Sequence, residues 1–114
     1  MTTRAVADRL IELCKQGAFV QAQQELYHTD IVRIEADGTR TTGAEKMREQ
    51  EQRFLDSLEK IHGISYSEPL VAGKYFTVVL KMEITIKQRG SITLEEVCVY
   101  EVADSKVVFE QFFR

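Results

Sequence analysis

At 114 residues the chain is the length of one domain, 1–114, and a domain of that size buries roughly two-thirds of the surface its unfolded form exposes. Hydrophobic residues at 44% and charged residues at 29% are those of an ordinary globular protein. A net charge of −3 with no Lys/Arg cluster excludes a nucleic-acid surface, and no apolar run approaches the ~18 residues of a membrane span.

The opening stretch, MTTRAVADRLIELCK, scatters acids and bases along its length and has no cleavable apolar core, so it reads as a helix and not as a signal peptide. Thr3 is placed to cap it, and Val6, Leu10, Leu13 and Cys14 recur at helical spacing through about Lys15. Gly17 follows the last periodic residue, where helices commonly end in the left-handed conformation. A short second helix, Ala18 to Tyr27, directs Phe19, Ala22, Leu26 and Tyr27 inward. Asp30 to Glu35 is a strand turned by Asp37-Gly38, and His28 lies in an exposed helix-end loop. Thr42, with Glu45 three residues on, forms a capping box that opens a third helix. Ala44, Met47, Glu51, Phe54 and Leu58 lie along its inward stripe, while Arg48, Glu49, Gln52, Arg53, Asp56 and Glu59 form a solvated face.

From Ile61 onward the chain reads as strand. Ile61 to Ala72 places His62, Ile64 and Tyr66 on one face, and Pro69 marks a bulge or an edge. After a Gly73-Lys74 turn, Tyr75 to Gln88 alternates with period two, putting Phe76, Val78, Leu80, Met82, Ile84 and Ile86 on one side. Arg89-Gly90 turns into the last stretch, ITLEEVCVYEVADSKVVFEQFFR, a hairpin closed at Ala103-Asp104-Ser105. A three-residue loop there pairs Val102 with Lys106, Cys98 with Glu110 and Glu96 with Phe112. Glu96, Cys98, Tyr100, Val102, Val108, Glu110 and Phe112 then share one face, with two carboxyls among apolar neighbours. Three helices before a mostly antiparallel, strongly curved sheet make an α+β domain, a cone with a cavity between helix and sheet. The two cysteines, Cys14 and Cys98, have no CxxC or His-Cys spacing; they are expected as reduced, buried thiols of a cytoplasmic protein, with no metal.

Helix-Gly-helix ending in ELYHTDIVRIEADG, then TGAEKM, then VYEVADSKVVFEQFF resembles, in that order and over nearly the whole chain, the SnoaL-like and ketosteroid-isomerase-like branches of the nuclear transport factor 2 superfamily. The resemblance implies the cystatin-like cone fold and frequent dimerisation through the sheet, with no single chemistry attached. In the isomerases a carboxylate base stands just past the first strand, and the matching residue here is Glu35. The positions of their oxyanion-hole donors correspond to Leu10 and Cys98, and neither is a strong donor.

The candidate catalytic residues are therefore Glu35, Glu96, Glu110, His62 and Tyr100. Glu35 is either a general base or the partner of Arg33, two residues back. Glu96 and Glu110, if adjacent, share a proton and offer an acid beside a base; alternatively each bonds Tyr100, His62 or backbone and fixes register. His62 is a proton shuttle near them or a satisfied structural group. Phe76, Val78, Leu80, Met82, Cys98, Val108 and Phe112 are the expected ligand-contacting walls. No Gly-rich phosphate loop, GxSxG elbow or HExxH is present, and no cofactor is expected. Two functions follow: a cone that binds a small neutral or cationic, partly apolar molecule, with acid/base chemistry of isomerase, cyclase or dehydratase type, or a non-catalytic interaction module with a filled cavity. Val97, Val99, Val107, Phe109 and Phe113 on the outer face of the last strands predict a homodimer.

Overall fold

The computed structural model describes residues Met1–Arg114. Helix α1 (Thr3–Lys15) is capped by Thr2, not Thr3: the Thr2 hydroxyl accepts from the Ala5 amide at 3.0 Å. Its stripe of Val6, Ala7, Leu10, Leu13 and Cys14 is buried, and Gly17 reverses the chain at φ +77°. Helix α2 (Phe19–Leu26) buries Phe19, Ala22, Gln23 and Leu26. The chain then passes without a loop into β1 (Tyr27–Ile34) and turns into β2 (Arg40–Thr42).

The expected capping box does not form. Thr42 pairs with Val32 as the last residue of β2, so Gly43 becomes the N-cap of α3 (Ala44–Asp56) with no side-chain cap bond. Ser57 closes α3, its hydroxyl donating to the Phe54 carbonyl at 2.5 Å, and Leu58 already belongs to β3 (Leu58–Tyr66). The stretch read as one strand to Ala72 is interrupted at Ser67–Pro69. There the Ser67 hydroxyl accepts from the Val79 amide at 2.7 Å, and pairing resumes in β4 (Leu70–Ala72). Strands β5 (Tyr75–Ile86), β6 (Gly90–Ala103) and β7 (Lys106–Phe113) complete the chain.

The sheet runs β2-β1-β7-β6-β5-β3, with β4 also on β5; every pairing is antiparallel except β1 with β7. Register shifts between Tyr27 and Val32, around Glu59 and His62 in β3, and between Glu101 and Val102 bend it. The curved inner face closes on the helices. As the alternation of β5 required, Phe76, Val78, Leu80, Met82 and Ile84 are all buried there against α1 and α2 residues.

The closing hairpin departs from its expected register twice. Its turn is the two-residue Asp104-Ser105, both residues left-handed (φ 51° and 65°), so Ala103 pairs with Lys106 and Val102 with Val107. An extra residue in β7, Val108, then shifts the ladder so that Glu101 faces Phe109 and Tyr100 faces Glu110. The bulge restores the parity the shorter turn changed. Glu110 and Phe112 therefore face inward with Glu96, Cys98 and Tyr100, while Val107, not Val108, is buried near the tip. No helix is long and apolar enough to cross a membrane.

Candidate functional site

Between the helices and the concave sheet lies a cavity of ≈ 240 Å³. Leu10 and Cys14 of α1, Phe19 and Gln23 of α2, Glu51 and Phe54 of α3, and Leu80, Met82, Cys98 and Phe112 of the sheet contribute to its wall. Tyr27, Tyr66 and Tyr100 place three phenols on it; Glu35, Glu51 and Glu96 place three carboxylates, and Arg33 and Arg114 two guanidiniums.

Glu110 has no solvent exposure and does not itself line the cavity; it lies beneath the wall and anchors Arg33 and Tyr27, which do line it. Because β1 and β7 run parallel with Arg33 beside Glu110, the guanidinium Nε donates to Glu110 Oε2, and the Tyr27 hydroxyl donates to Oε1. Arg33 also lies over the Phe112 ring, 5.3 Å from its centroid. Burial works against the Arg33 charge, yet the adjacent Glu110 carboxylate holds it firmly protonated. Burial raises Glu110 above the ordinary carboxylate range, opposed by Arg33 and by the Tyr27 hydrogen bond. With a permanent cation fixed against it, Glu110 is an ionised structural anchor at neutral pH. Burial also raises Tyr27, Tyr66 and Tyr100, so all three remain neutral hydrogen-bond donors.

At the rim, Glu35 sits just past β1 with 34% of its side chain exposed, and Arg33 Nη1 lies 3.6 Å from its Oε1. Arg114 Nε donates to Glu96 Oε2 at 2.7 Å, and both residues line the cavity. Deeper in, Gln23 Nε2 donates to Glu51 Oε1 at 3.0 Å. Burial, reinforced by the charges of Glu110 and Glu35 and opposed chiefly by Arg33, pushes the Glu51 carboxyl up to about 6. The thiols of Cys14 and Cys98 are free and pushed by burial up to about 12, so neither is a nucleophile near neutral pH.

Four expected placements are corrected. Glu96 and Glu110 do not form a proton-sharing pair: Glu110 sits opposite Tyr100, four residues along β6 from Glu96, a strand distance of about 13 Å. The carboxyls that do neighbour Arg33 and Glu110 electrostatically are Glu35 and Glu51. His62 lies on the outer face, bonded through Nε2 to Thr85 Oγ1 at 2.6 Å, because the β3 bulge between Ile61 and Gly63 reverses its side. Val108 is the bulge residue of β7 and does not reach the cavity, whereas Phe76 and Val78 are core beneath the wall. Glu35, Glu96, Tyr100, Leu80, Met82, Cys98 and Phe112 do line the cavity. Gln23, Tyr27, Glu51 and Tyr66 join them there, and sequence reasoning gave none of them a functional role. The helical spacing of Met47, Glu51 and Phe54 already carried the signal for Glu51, a carboxylate on an inward stripe.

Leu10 and Cys98 also stand on the cavity wall, presenting an alkyl group and a protonated thiol.

No protein of curated function is similar enough to match the chain. Among solved structures, a provisionally assigned SnoaL-like polyketide cyclase from Mesorhizobium loti is 30% identical, with a TM-score of 0.91 and full coverage of both chains. A cystatin-fold protein from Novosphingobium aromaticivorans superposes at 0.82 with 16% identity, over 100% of this chain and 99% of that one. A ketosteroid-isomerase-like fold from Catenulispora acidiphila, solved in complex with trimethylamine, superposes at 0.74 with 14% identity over 96% and 84% of the two chains. The family described as the SnoaL-like domain matches residues 1–114 from end to end, and the chain belongs to that family.

Proposed function

We propose that the cone binds a small, partly apolar organic molecule that is neutral or cationic, and acts on it without a cofactor by acid/base chemistry of isomerase, cyclase or dehydratase type. The observation that carries this reading is the ≈ 240 Å³ left open between helices and sheet, apolar in its walls and set with ionisable groups. That open space argues against the alternative of a non-catalytic module with a filled cavity. Three carboxylates against two guanidiniums on the wall, with a fourth carboxylate beneath, disfavour phosphates and dicarboxylates. Glu35, at the rim and partly solvated, is the proposed base. A neutral phenol, Tyr66 or Tyr100, takes over the donor role first assigned to Glu96 or Glu110.

The domain is further proposed to pair through its sheet. Val97 and Phe113 are 42% and 48% exposed, and Val99 and Phe109 are partly so. Val107 drops out of that surface, being buried inside the hairpin tip. Two free, buried thiols are compatible with a cytoplasmic setting. The test is a thermal-shift screen of small aromatic, steroid-like and polyketide-like compounds on the unaltered chain and on Glu35→Gln. Apolar hits that raise Tm support the reading. A screen with no apolar hit, or with hits that are chiefly anions, contradicts it.

A further inference from the structure

The charges around the cavity do not pair off evenly. Arg33 is taken by Glu110 beneath the wall, with Glu35 at 3.6 Å, and Arg114 is taken by Glu96. Glu51 is left with no cation in ion-pair contact, and its hydrogen bond comes from the neutral Gln23 amide. Gln23 is 3% exposed and lines the same cavity. Since Nε2 must be the atom turned to the carboxylate, the amide oxygen is the other end of the group, and Gln23 Oε1 is buried without a hydrogen-bond partner. An unsatisfied buried carbonyl beside a partly buried carboxylate that has no direct ion pair, and only the field of Arg33 against its burial, is an arrangement that proteins rarely keep without an occupant. Both groups accept only, and one is charged. Phe19, Phe54, Tyr27 and Tyr66 line the same cavity.

Resting on the ligand-binding reading above, we propose that the ligand is a primary or secondary amine with an apolar body, whose N–H groups bridge Gln23 Oε1 and the Glu51 carboxylate. The ammonium supplies the direct ion pair that Glu51 lacks. Its N–H bonds satisfy the orphaned carbonyl, which a quaternary ammonium could not do, and the aromatic rings accept both the cation and the apolar body. A neutral ketone has no donor for either acceptor. The amine's apolar body points toward Leu80, Met82 and Phe112, leaving Glu35 at the rim free for the base role.

Three probes of nearly equal size separate the contributions: phenethylamine, phenethyltrimethylammonium and propylbenzene, titrated calorimetrically near neutral pH against the unaltered chain. Phenethylamine is expected to bind at least about tenfold more tightly than either of the others. Gln23→Met and Glu51→Gln should each remove most of that advantage, read as the ratio of phenethylamine to propylbenzene affinity within each variant. The comparison on the unaltered chain stands even if a variant folds poorly. Equal binding of the quaternary ammonium means that charge without N–H recognition suffices, and overturns the proposal. Equal binding of propylbenzene overturns it too, while leaving the broader ligand-binding reading in place. Binding by none of the three removes both.

Discussion

Replacing Glu51 with glutamine should stabilise the protein at neutral and alkaline pH. Folding takes this carboxyl from an ordinary value of 4.5 to about 6, chiefly by burial. The ionised form is therefore less favourable in the folded than in the unfolded chain, by about 2 kcal/mol at the full difference. The sign follows from proton binding. Between the two values the folded state holds the proton more tightly, so this group's contribution is most favourable below 4.5 and is lost as pH rises through about 6. The substituted amide would stay neutral throughout and could still accept the Gln23 amide hydrogen. At pH 8 Glu51→Gln should be more stable by roughly 1–2 kcal/mol, a rise of roughly 4–8 °C in Tm for a domain of this size. Near pH 4.5 the difference should shrink to less than about 0.5 kcal/mol. Urea denaturation of both at several pH values measures this directly. An unchanged stability at pH 8, or a difference that does not vary with pH, would refute the picture of a carboxylate whose desolvation outweighs the charge that opposes it.

Other substitutions probe the remaining architecture. Glu110→Lys should unfold the domain or cost several kcal/mol, because it sets an ammonium against Arg33 with no solvent access, and an unchanged melting temperature would contradict the inward placement of residue 110. Removing only the Tyr27 donor with Tyr27→Phe should cost about 1–2 kcal/mol in chemical denaturation. Val107→Asp should destabilise by more than about 2 kcal/mol and Val108→Asp by much less, and the reverse order would place the β7 bulge elsewhere. The thiols of Cys14 and Cys98 should resist alkylation in the native protein at pH 8, whereas fast labelling would contradict their burial.

What local sequence made legible was what local periodicity controls. The β5 alternation placed Phe76 through Ile84 correctly because one face of that strand is buried along nearly its whole length. Residue types at a turn constrain its length less tightly. Asp104-Ser105 forms a two-residue turn where a three-residue one was expected, and Glu110 still faces inward because the Val108 bulge reversed the parity again. A bulge of the same kind in β3 carried His62 to the outer surface, since the second β3 bulge, between Leu58 and Lys60, lies beyond it. Thr42 and Glu45 have the spacing of a capping box, but pairing with Val32 satisfies the Thr42 backbone in a sheet instead. The Arg33–Glu110 anchor joins residues 77 apart through the one parallel pairing in the sheet, and no local pattern announces such a contact. Glu51 and Gln23 differ in this respect. Each shares an inward helical stripe with apolar neighbours, so their place in the cavity could have been read from spacing alone.

The central claim is that the cone takes up a small, partly apolar molecule. Methyl-resolved NMR of Leu and Met side chains, titrated with phenethylamine and separately with propylbenzene, tests it most directly. The claim predicts saturable shifts at Leu10, Leu80, Met82 and Leu94, which line the cavity, and none at the exposed Leu70. Shifts confined to Leu70 and Met1, or no saturable shift with either compound, would contradict it.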